Sequence, residues 1–348
     1  MVQLARLLKQ KGNYVAYMTY DRSDFFQKEL EGAGISVVRI PSRGLVKILR
    51  ITTLRNAIFL HRFLKNDHYD TVISFLGEWN FQNCLSAKIK STRHRAITGI
   101  RNNRDEVFLN PKNRFFSIFE RFSYRIVSNS QAAIKRYSGL YPHLSQKCIA
   151  IYNIVDLPEI SSTYQMRRGD RLQIIIPASY SPVKNPINML KAVASLDEAT
   201  RCLLCISWYG SIESGKQCYE EMQSYIDRHG LNECVMLYDA TRDIANLINE
   251  SDAVGLFSTS EGLPNAVCEG MMLGKPIIMS RVSDYDILAG GGNGVLCDAE
   301  DVQSIADALY TIVNCSDETL KRMGEVSKAK ALELFHPAKV LRQWEEVI

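Results

Sequence analysis

The sequence predicts an α/β protein with two doubly wound, parallel-sheet domains, and three observations support this prediction. Apolar runs of strand length alternate with longer helix-forming segments along the chain, which is typical of βαβ units. The 348 residues exceed one compact core and fit two domains of ordinary size. The charge also divides the chain: residues 1–165 hold 25 Lys and Arg against 12 Asp and Glu, whereas residues 166–348 hold 17 against 26.

In the first half, an amphipathic helix is predicted at residues 1–11, with Leu4, Leu7 and Leu8 on its apolar side. The predicted strands that follow are 14–20, 35–40, 71–76, 96–100 and 125–129, and the predicted helices are 23–32, 48–66, 80–90 and 111–122. Polar clusters follow three of these strands, at residues 77–80, 101–104 and 128–130. Ligands of parallel sheets bind beyond the carboxyl ends of the strands, so we expect a binding surface there.

The second half repeats the alternation after a linker that contains Pro, Ser and Gly. Strands are predicted at 172–177, 203–209, 234–238, 253–257, 276–279 and 295–297, and helices at 187–196, 216–229, 244–250, 264–274, 302–313 and 320–334. The last segment, which contains Trp344, is expected to pack back toward the domain junction.

Composition narrows the classes of function. No run of about 18 apolar residues is present, so no membrane-spanning helix is expected. Nine cysteines without framework spacing indicate reduced thiols and a cytoplasmic protein. The basic first half suits anionic lipid headgroups, and hence peripheral contact with a membrane, or a diphosphate-bearing acceptor; it also suits simple solubility. Nucleic acid is not expected, because zinc-finger spacing and RNP-like aromatic signatures are lacking.

Residues 253–278 carry the strongest functional pattern. A buried strand, a polar turn at 258–263 and a helix that starts at Pro264 form a cradle for an anion, because the helix N-terminus presents N–H groups and a positive dipole end. Glu261 in the turn and Glu269 in the helix flank this cradle. Carboxylates repel phosphate but accept hydrogen bonds from sugar hydroxyls. A phosphate-bearing sugar therefore fits both the anion cradle and the two carboxylates beside it. A capped helix with two solvated glutamates explains the spacing equally well.

The segment Glu261-Gly262-Leu263-Pro264-Asn265, followed by Glu269, resembles the glutamate–seven–glutamate motif of the family 4 glycosyltransferases. These are retaining enzymes of GT-B architecture, in which two Rossmann-like domains face a central cleft. The resemblance implies that Glu261 orients the donor sugar hydroxyls and that Glu269 contacts the ribose hydroxyls. It also implies that the segment from Gly262 to Asn265 binds the donor.

Other donor-side residues follow from the same resemblance. Lys184 precedes a predicted helix at the end of a strand, where the family's lysine binds the donor phosphates. Ser179 stands five residues earlier, where the family usually has an arginine. Asp239 and Thr241 follow a strand in the loop that approaches the nucleotide base. The D-x-D at residues 284–286 is discounted as a metal motif, and no metal or other cofactor is expected.

On the acceptor side, the loops after two strands of the first domain resemble those of enzymes that extend polyprenyl-linked glycans. They contribute Glu78, Asn80, Arg101 and Asn102 as expected acceptor contacts. Many members of the family have a histidine near the position of Arg101. An ion pair between Arg101 and Asp105 or Glu106 is the alternative interpretation.

The expected organisation is an acceptor domain at 1–157, a linker at 158–170, a donor domain at 171–335 and a C-terminal helix at 336–348. In the family a strand and a glycine-rich loop precede the first helix, and both are expected to be missing here. The predicted activity is transfer of a hexose or N-acetylhexosamine from a nucleotide diphosphate sugar, with UDP as the expected nucleotide. The predicted acceptor is a glycan, lipid-linked, in bacterial surface polysaccharide synthesis. An inactive donor-binding remnant and a GT-B nucleotide-sugar epimerase remain as alternatives.

Overall fold

The computed structural model of the chain describes residues 1–19, 26–40, 49–75, 77–101, 103, 105–155, 157 and 169–348. Within these ranges, the side chains of residues 49–55, 105 and 106 are not described. The chain forms two compact units: unit 1 comprises residues 1–154 and 337–348, and unit 2 comprises residues 155–336.

Helices and strands alternate through both units. The helices are α1 (Val2–Gln10), α2 (Gln27–Gly32), α3 (Leu49–Asn66), α4 (Gly77–Ser86), α5 (Asp105–Phe108), α6 (Pro111–Ser117), α7 (Gln131–Leu140), α8 (Pro186–Ser195), α9 (Glu198–Cys202), α10 (Lys216–His229), α11 (Ile244–Glu250), α12 (Asn265–Met272), α13 (Tyr285–Leu288), α14 (Val302–Val313), α15 (Asp317–Phe335) and α16 (Pro337–Glu345). The strands are β1 (Ala16–Thr19), β2 (Ser36–Arg39), β3 (Thr71–Phe75), β4 (Arg95–Ile100), β5 (Arg125–Ser128), β6 (Cys148–Ala150), β7 (Leu172–Pro177), β8 (Leu204–Tyr209), β9 (Val235–Tyr238), β10 (Ala253–Leu256), β11 (Ile277–Ser280) and β12 (Gly294–Cys297).

Unit 2 is built on one six-stranded sheet. Its strand order is β12-β11-β10-β7-β8-β9, and every pairing is parallel. The chain leaves β7 in one direction, through β8, and returns to the other side of β7 at β10. Such a sheet has its topological switch point between β7 and β10, where ligands of doubly wound sheets bind. The apolar residues of these strands are buried between helices on both faces, as continuous apolar strand runs predict.

Unit 1 contains two parallel sheets. Strands β1 and β2 pair with each other, and the second sheet has the order β3-β4-β5-β6. Helix α1 packs on both sheets: Leu4 joins a cluster with Ile97 of β4, and Ala5 joins a cluster with Ile35 beside β2. Helix α16 packs into the same unit through Trp344, which lies in the cluster of Leu4.

The α/β class and the parallel sheets predicted from the alternation are confirmed. Several local predictions were wrong or incomplete, and the short helices α9 and α13 were not predicted. Helix α4 begins at Gly77 rather than at residue 80, so Glu78 and Asn80 lie in its first turn and not in a loop. The segment predicted as one helix at 111–122 ends as α6 at Ser117 and continues as a 3₁₀ turn, Ile118–Phe122. Helix α7, which Ser130 caps by accepting from the Ala133 N–H, was not predicted.

Among the described helices, none has the length and apolar character needed to cross a bilayer.

Candidate active site

The candidate site lies at the switch point of the sheet in unit 2, where the loops after β7 and β10 meet. The Thr259 N–H donates to the Val183 carbonyl oxygen at 2.9 Å, which ties the two loops together. The Lys184 ammonium lies 2.5 Å from the Glu261 carboxylate. The fold therefore brings together two residues that the sequence predicted separately, 77 positions apart.

The Lys184–Glu261 pair is largely shielded from solvent, with side chains 22% and 11% exposed. The Ser258 hydroxyl donates to the same Glu261 oxygen at 2.6 Å. Two donors on one carboxylate oxygen hold Glu261 in a single orientation. An ammonium has three N–H groups, so Lys184 retains donors for an anionic ligand while it is paired.

Helix α12 starts directly after this pair. Pro264 precedes it with extended backbone (φ −76°, ψ 96°), and no side chain of the described residues caps its N-terminus. The Gly262 carbonyl accepts from the Ser283 hydroxyl, and the Ser258 carbonyl accepts from the Ser280 hydroxyl at 2.6 Å. These bonds attach the turn to the last residue of β11 and to the loop after it, so the start of α12 is held in place from a third strand. The positive end of the helix dipole is thus available at the turn.

Glu269 lies one turn into α12 and differs from Glu261 in having no partner. Its carboxylate forms no hydrogen bond or ion pair with any residue that the structure describes. Burial raises the pKa of this carboxyl to about 7. A partly buried carboxylate without a partner loses part of its hydration, which the donors of a ligand can replace, and hydroxyl groups are suitable donors.

The remaining donor-side residues occupy the same carboxyl edge of the sheet. Ser179 is exposed, and its hydroxyl lies 3.2 Å from that of Ser181. Asp239 accepts from the N–H groups of Ile212 at 3.0 Å and Ala240 at 2.8 Å, and these bonds lower the pKa of its carboxyl. The Thr241 hydroxyl accepts from the Asp243 N–H at 3.1 Å. All three side chains thus form local loop contacts.

The structure adds residues that the sequence analysis did not single out as site residues. Ser258 and Ser283 orient the turn, as described above. Asn185 adopts the left-handed conformation (φ 58°) immediately before α8, and its amide donates to the Ala299 carbonyl at 2.6 Å. Asparagine tolerates the left-handed conformation better than most residues. The asparagine that directly follows Lys184 was therefore the sequence signal that could have indicated this turn.

On the side of unit 1, a cavity of about 330 Å³ opens at the carboxyl ends of β3 and β4. Glu78, Asn80 and Arg101 line it, so three of the four predicted acceptor residues lie together. Asn102 lies outside the described residues. Aromatic side chains of α6 and α7, Phe116 and Tyr137, form part of the wall.

Arg101 is fixed within unit 1. Its guanidinium donates to the Asn153 side-chain oxygen at 3.0 Å and lies 4.4 Å from the centre of the Phe75 ring. Burial lowers the pKa of this guanidinium to about 10, so Arg101 remains charged at neutral pH. The side chains of its alternative partners, Asp105 and Glu106, are not described.

Glu120 is the buried acid of this cavity, and no sequence motif indicated it. It lines the cavity from the 3₁₀ turn after α6. The Tyr137 hydroxyl donates to one carboxylate oxygen, and the Asn80 amide donates to the other at 3.2 Å. Burial raises the pKa of Glu120 to about 7, against the opposing effect of these two bonds. Asn80 also accepts from Ser74 at 3.0 Å, so it holds a buried polar network as well as the cavity wall.

One comparison with known protein families concerns unit 2. Residues 164–330 match the family profile of Glycosyl transferases group 1. This stretch contains Lys184, Glu261 and Glu269, and the match supports glycosyl transfer. No cluster of three or more metal-ligating side chains is present among the described residues.

Two curated relatives carry named transferase activities. The chain is 24% identical over 199 residues to the N-acetyl-alpha-D-glucosaminyl L-malate synthase of Bacillus anthracis, covering 57% of this chain and 50% of that protein. It is 26% identical over 159 residues to the UDP-Gal:alpha-D-GlcNAc-diphosphoundecaprenol alpha-1,3-galactosyltransferase of Escherichia coli, covering 45% and 40%. The chain thus spans about half the length, or less, of these relatives.

Solved structures match over nearly the whole chain. Anabaena HepE in complex with UDP and glucose superposes with a TM-score of 0.80 at 17% identity, over 99% of this chain and 93% of that one. A glycosyltransferase from Rickettsia africae superposes with a TM-score of 0.79 at 17% identity, over 99% and 92%. These likenesses confirm the predicted GT-B fold with two Rossmann-like units.

Proposed function

We propose that this chain is a metal-independent, retaining family 4 glycosyltransferase that moves a hexose or an N-acetylhexosamine from a UDP-sugar to a lipid-linked glycan. The observation that carries the proposal is the grouping of the Lys184–Glu261 pair, the start of α12 and the unpartnered Glu269 at one switch point. We place the reaction in bacterial surface polysaccharide synthesis, such as that of capsule, O antigen or exopolysaccharide, on the cytoplasmic side of the membrane.

Stabilisation of the leaving group is the main task of the donor site. Breaking the bond between the sugar and the diphosphate leaves negative charge on the diphosphate oxygen. The Lys184 ammonium and the N-terminus of α12 supply positive charge in a fixed position, which stabilises this charge without a metal ion. The ion pair with Glu261 keeps the Lys184 ammonium in this orientation.

The two glutamates then have separate tasks. Glu261, held by Lys184 and Ser258, accepts hydrogen bonds from hydroxyls of the donor sugar. Glu269 accepts hydrogen bonds from the ribose hydroxyls, which supply the donors that its partly buried carboxyl lacks. Asp239 and Thr241 remain proposed contacts to the base, and Ser179 to the phosphates.

Retention without an enzymic nucleophile requires attack from the face that the diphosphate leaves. The acceptor hydroxyl forms the new bond to the sugar C1 while the bond from C1 to the phosphate oxygen breaks, and the released diphosphate takes the hydroxyl proton. No enzymic nucleophile is needed for this step. We propose a retaining outcome because the segment from Glu261 to Glu269 resembles the glutamate motif of the retaining family 4 enzymes.

The acceptor belongs to unit 1 in this proposal. A cavity lined by Glu78, Asn80 and Arg101 and walled by aromatic rings suits a sugar, whose ring stacks on aromatic faces and whose hydroxyls bond to carboxylate and amide groups. The Escherichia coli relative is named for a diphosphoundecaprenol-linked acceptor, which supports a lipid-linked glycan. The Anabaena structure contains UDP and glucose, which supports a UDP-sugar donor.

The test is calorimetric titration of the whole chain with UDP, repeated on Lys184→Ala and Glu269→Ala. Micromolar binding that both substitutions weaken by about tenfold or more would support the donor site. Lys191→Ala, an exposed lysine on α8, is the matched control and should bind as the parent does. A folded protein that binds neither UDP nor another nucleoside diphosphate contradicts the proposal.

Turnover assays separate the alternatives. A transferase releases UDP rapidly only when a lipid-linked acceptor is present. An epimerase converts the donor without any acceptor, and an inactive remnant binds UDP without turnover under either condition.

A further inference from the structure

One surface of unit 1 combines exposed apolar side chains with positive charge. It consists of α6 and the following 3₁₀ turn, residues 111–122, together with residues 81–89 at the end of α4; we call it the aromatic–basic face. Phe115 is 54% exposed and Ile118 is 50% exposed, one helical turn apart. Leu85 and Ile89 are exposed on the neighbouring segment.

Four phenylalanine rings of this face form one continuous row. The ring of Phe119 lies 4.6 Å from that of Phe81 and 5.6 Å from that of Phe115, measured between centroids. Phe122 continues the row at 6.4 Å from Phe119. Scattered exposed apolar residues are ordinary, but a contiguous patch of this kind marks a docking surface.

Basic residues surround the patch. The Lys88 ammonium lies 5.0 Å from the centre of the Phe122 ring, and the Arg121 guanidinium lies 4.7 Å from it. Lys112 and Arg114 are exposed on α6. Within residues 81–89 and 111–122 the single acidic residue is Glu120, which is buried in the cavity wall, so the exposed charge of the face is positive.

We propose that the aromatic–basic face docks on the surface of an anionic lipid bilayer. Phe115 and Ile118 enter the boundary between headgroups and acyl chains, and the surrounding Lys and Arg side chains contact the anionic headgroups. A second copy of the chain fits less well, because a two-fold contact would bring this positive surface against itself.

The position of the face deepens the proposed function, on which this part rests. Helix α6 presents Phe115 to solvent, whereas Asn113 and Phe116 of the same helix line the cavity proposed for the acceptor. Docking through α6 therefore brings the mouth of the cavity close to the bilayer, where the lipid part of a lipid-linked acceptor is held. Bilayer docking itself needs no donor and is tested without one.

The test is co-sedimentation of the whole chain with vesicles of phosphatidylcholine alone and of phosphatidylcholine mixed with phosphatidylglycerol, at low and at physiological salt. We expect binding to the anionic vesicles that weakens with salt and little binding to the neutral ones. Arg114→Glu/Arg121→Glu and Phe115→Ser/Ile118→Ser should each reduce the partition coefficient by at least about tenfold.

Matched double variants in unit 2 serve as controls. Lys321→Glu/Arg322→Glu reverses two exposed charges on α15, and Tyr310→Ser/Leu332→Ser removes two exposed apolar side chains. Both should bind vesicles as the parent does, and all variants are compared by thermal unfolding. Phe115→Trp provides a readout that does not depend on loss of binding, since brominated lipid should quench its emission.

Three results overturn the proposal. The first is equal binding to neutral and anionic vesicles, or to neither. The second is loss of binding in the unit 2 controls but not in the variants of the face. The third is self-association without lipid that Phe115→Ser/Ile118→Ser abolishes, which assigns the face to a second copy. Failure here leaves UDP binding untouched, so the two proposals fail separately.

Discussion

Two glutamates, the buried Glu120 of unit 1 and the partly buried Glu269 of unit 2, have the same direction of pKa shift but different surroundings. Burial raises the pKa of both Glu269 and Glu120 to about 7. Glu120 has two donors within the fold, Tyr137 and Asn80, whereas Glu269 has none among the described residues. The fold of unit 1 therefore supplies hydrogen bonds to its buried acid, whereas the described residues of unit 2 leave the Glu269 carboxylate available to solvent or to a ligand.

This difference indicates that the compared residues have different roles in the two units. In unit 2, the ends of β7 and β10 carry short loops whose charged residues meet at the switch point. In unit 1, the equivalent residues, Asn80 and Glu120, are carried by α4 and by the 3₁₀ turn after α6, and they are tied into a buried polar network with Ser74 and Gly99. Substitutions in unit 2 should change ligand binding, and those in the network of unit 1 should change stability.

The largest expected effect is that of Lys184→Ala on transfer. The substitution removes the ammonium that stabilises the leaving diphosphate, and we expect kcat/KM to fall by about 100-fold or more. Lys191→Ala on α8 is the control. The measurement is release of UDP in the presence of a lipid-linked acceptor. Equal loss in both variants would mean that global charge, and not the switch-point geometry, matters.

Glu120 should make stability depend on pH. Its carboxyl has a higher pKa in the folded chain, about 7, than its ordinary value of 4.5, so the folded state holds the proton more tightly. This contribution to the free energy of unfolding is present in full below about pH 4.5 and is lost as pH rises to 7, and it is on the order of 2–3 kcal/mol.

Calorimetric unfolding between pH 5 and pH 8 measures this effect, in steps of about one pH unit. The parent should lose stability with rising pH relative to Glu120→Gln, which keeps the shape of the side chain and cannot ionise. Glu325→Gln, an exposed glutamate of unit 2, is the control. Parallel pH profiles for the parent and Glu120→Gln would refute the assignment.

Glu269 should instead make donor affinity depend on pH. Its carboxyl ionises near pH 7, and a carboxylate accepts hydroxyl hydrogen bonds more strongly than the neutral acid. The affinity for UDP-glucose, which does not titrate in this range, should increase by about tenfold between pH 6 and pH 8. Glu269→Gln should bind with an affinity that does not change with pH. Titration calorimetry at several pH values measures the affinity of the parent and of Glu269→Gln. If the affinity of the variant changes with pH as much as that of the parent, another group causes the pH dependence.

The smallest expected effect is that of Ser258→Ala, which removes one of the two donors to the Glu261 oxygen. We expect kcat/KM to fall by about threefold to tenfold, the net value of one typical intramolecular hydrogen bond, because Lys184 still holds the same Glu261 oxygen. Ser280→Ala is the matched control, because its hydroxyl bonds the Ser258 carbonyl and not Glu261. Steady-state kinetics of the two variants decides whether orientation of Glu261 matters.

The sequence by itself determined the α/β class and most of the elements, and its glutamate motif predicted the donor residues. Strands such as Leu172–Pro177 and helices such as Lys216–His229 matched their predicted bounds, because apolar runs and helical periodicity are local properties. Lys184, Glu261 and Glu269 were found for a related reason: each lies in a loop or helix start whose position in a βα unit is evident from its neighbours.

Only the tertiary structure decided which side chains meet. The contact of Lys184 with Glu261 depends on β7 and β10 being neighbours, which chain order does not show. Glu120 gave no signal, since its burial, its partners Tyr137 and Asn80 and its shifted pKa come from three separate segments. The same holds for the aromatic–basic face, where α4 and the 3₁₀ turn after α6 place Phe81 beside Phe119 across 38 residues of sequence. Local pattern specifies elements, whereas burial and long-range contact specify the chemistry of a side chain.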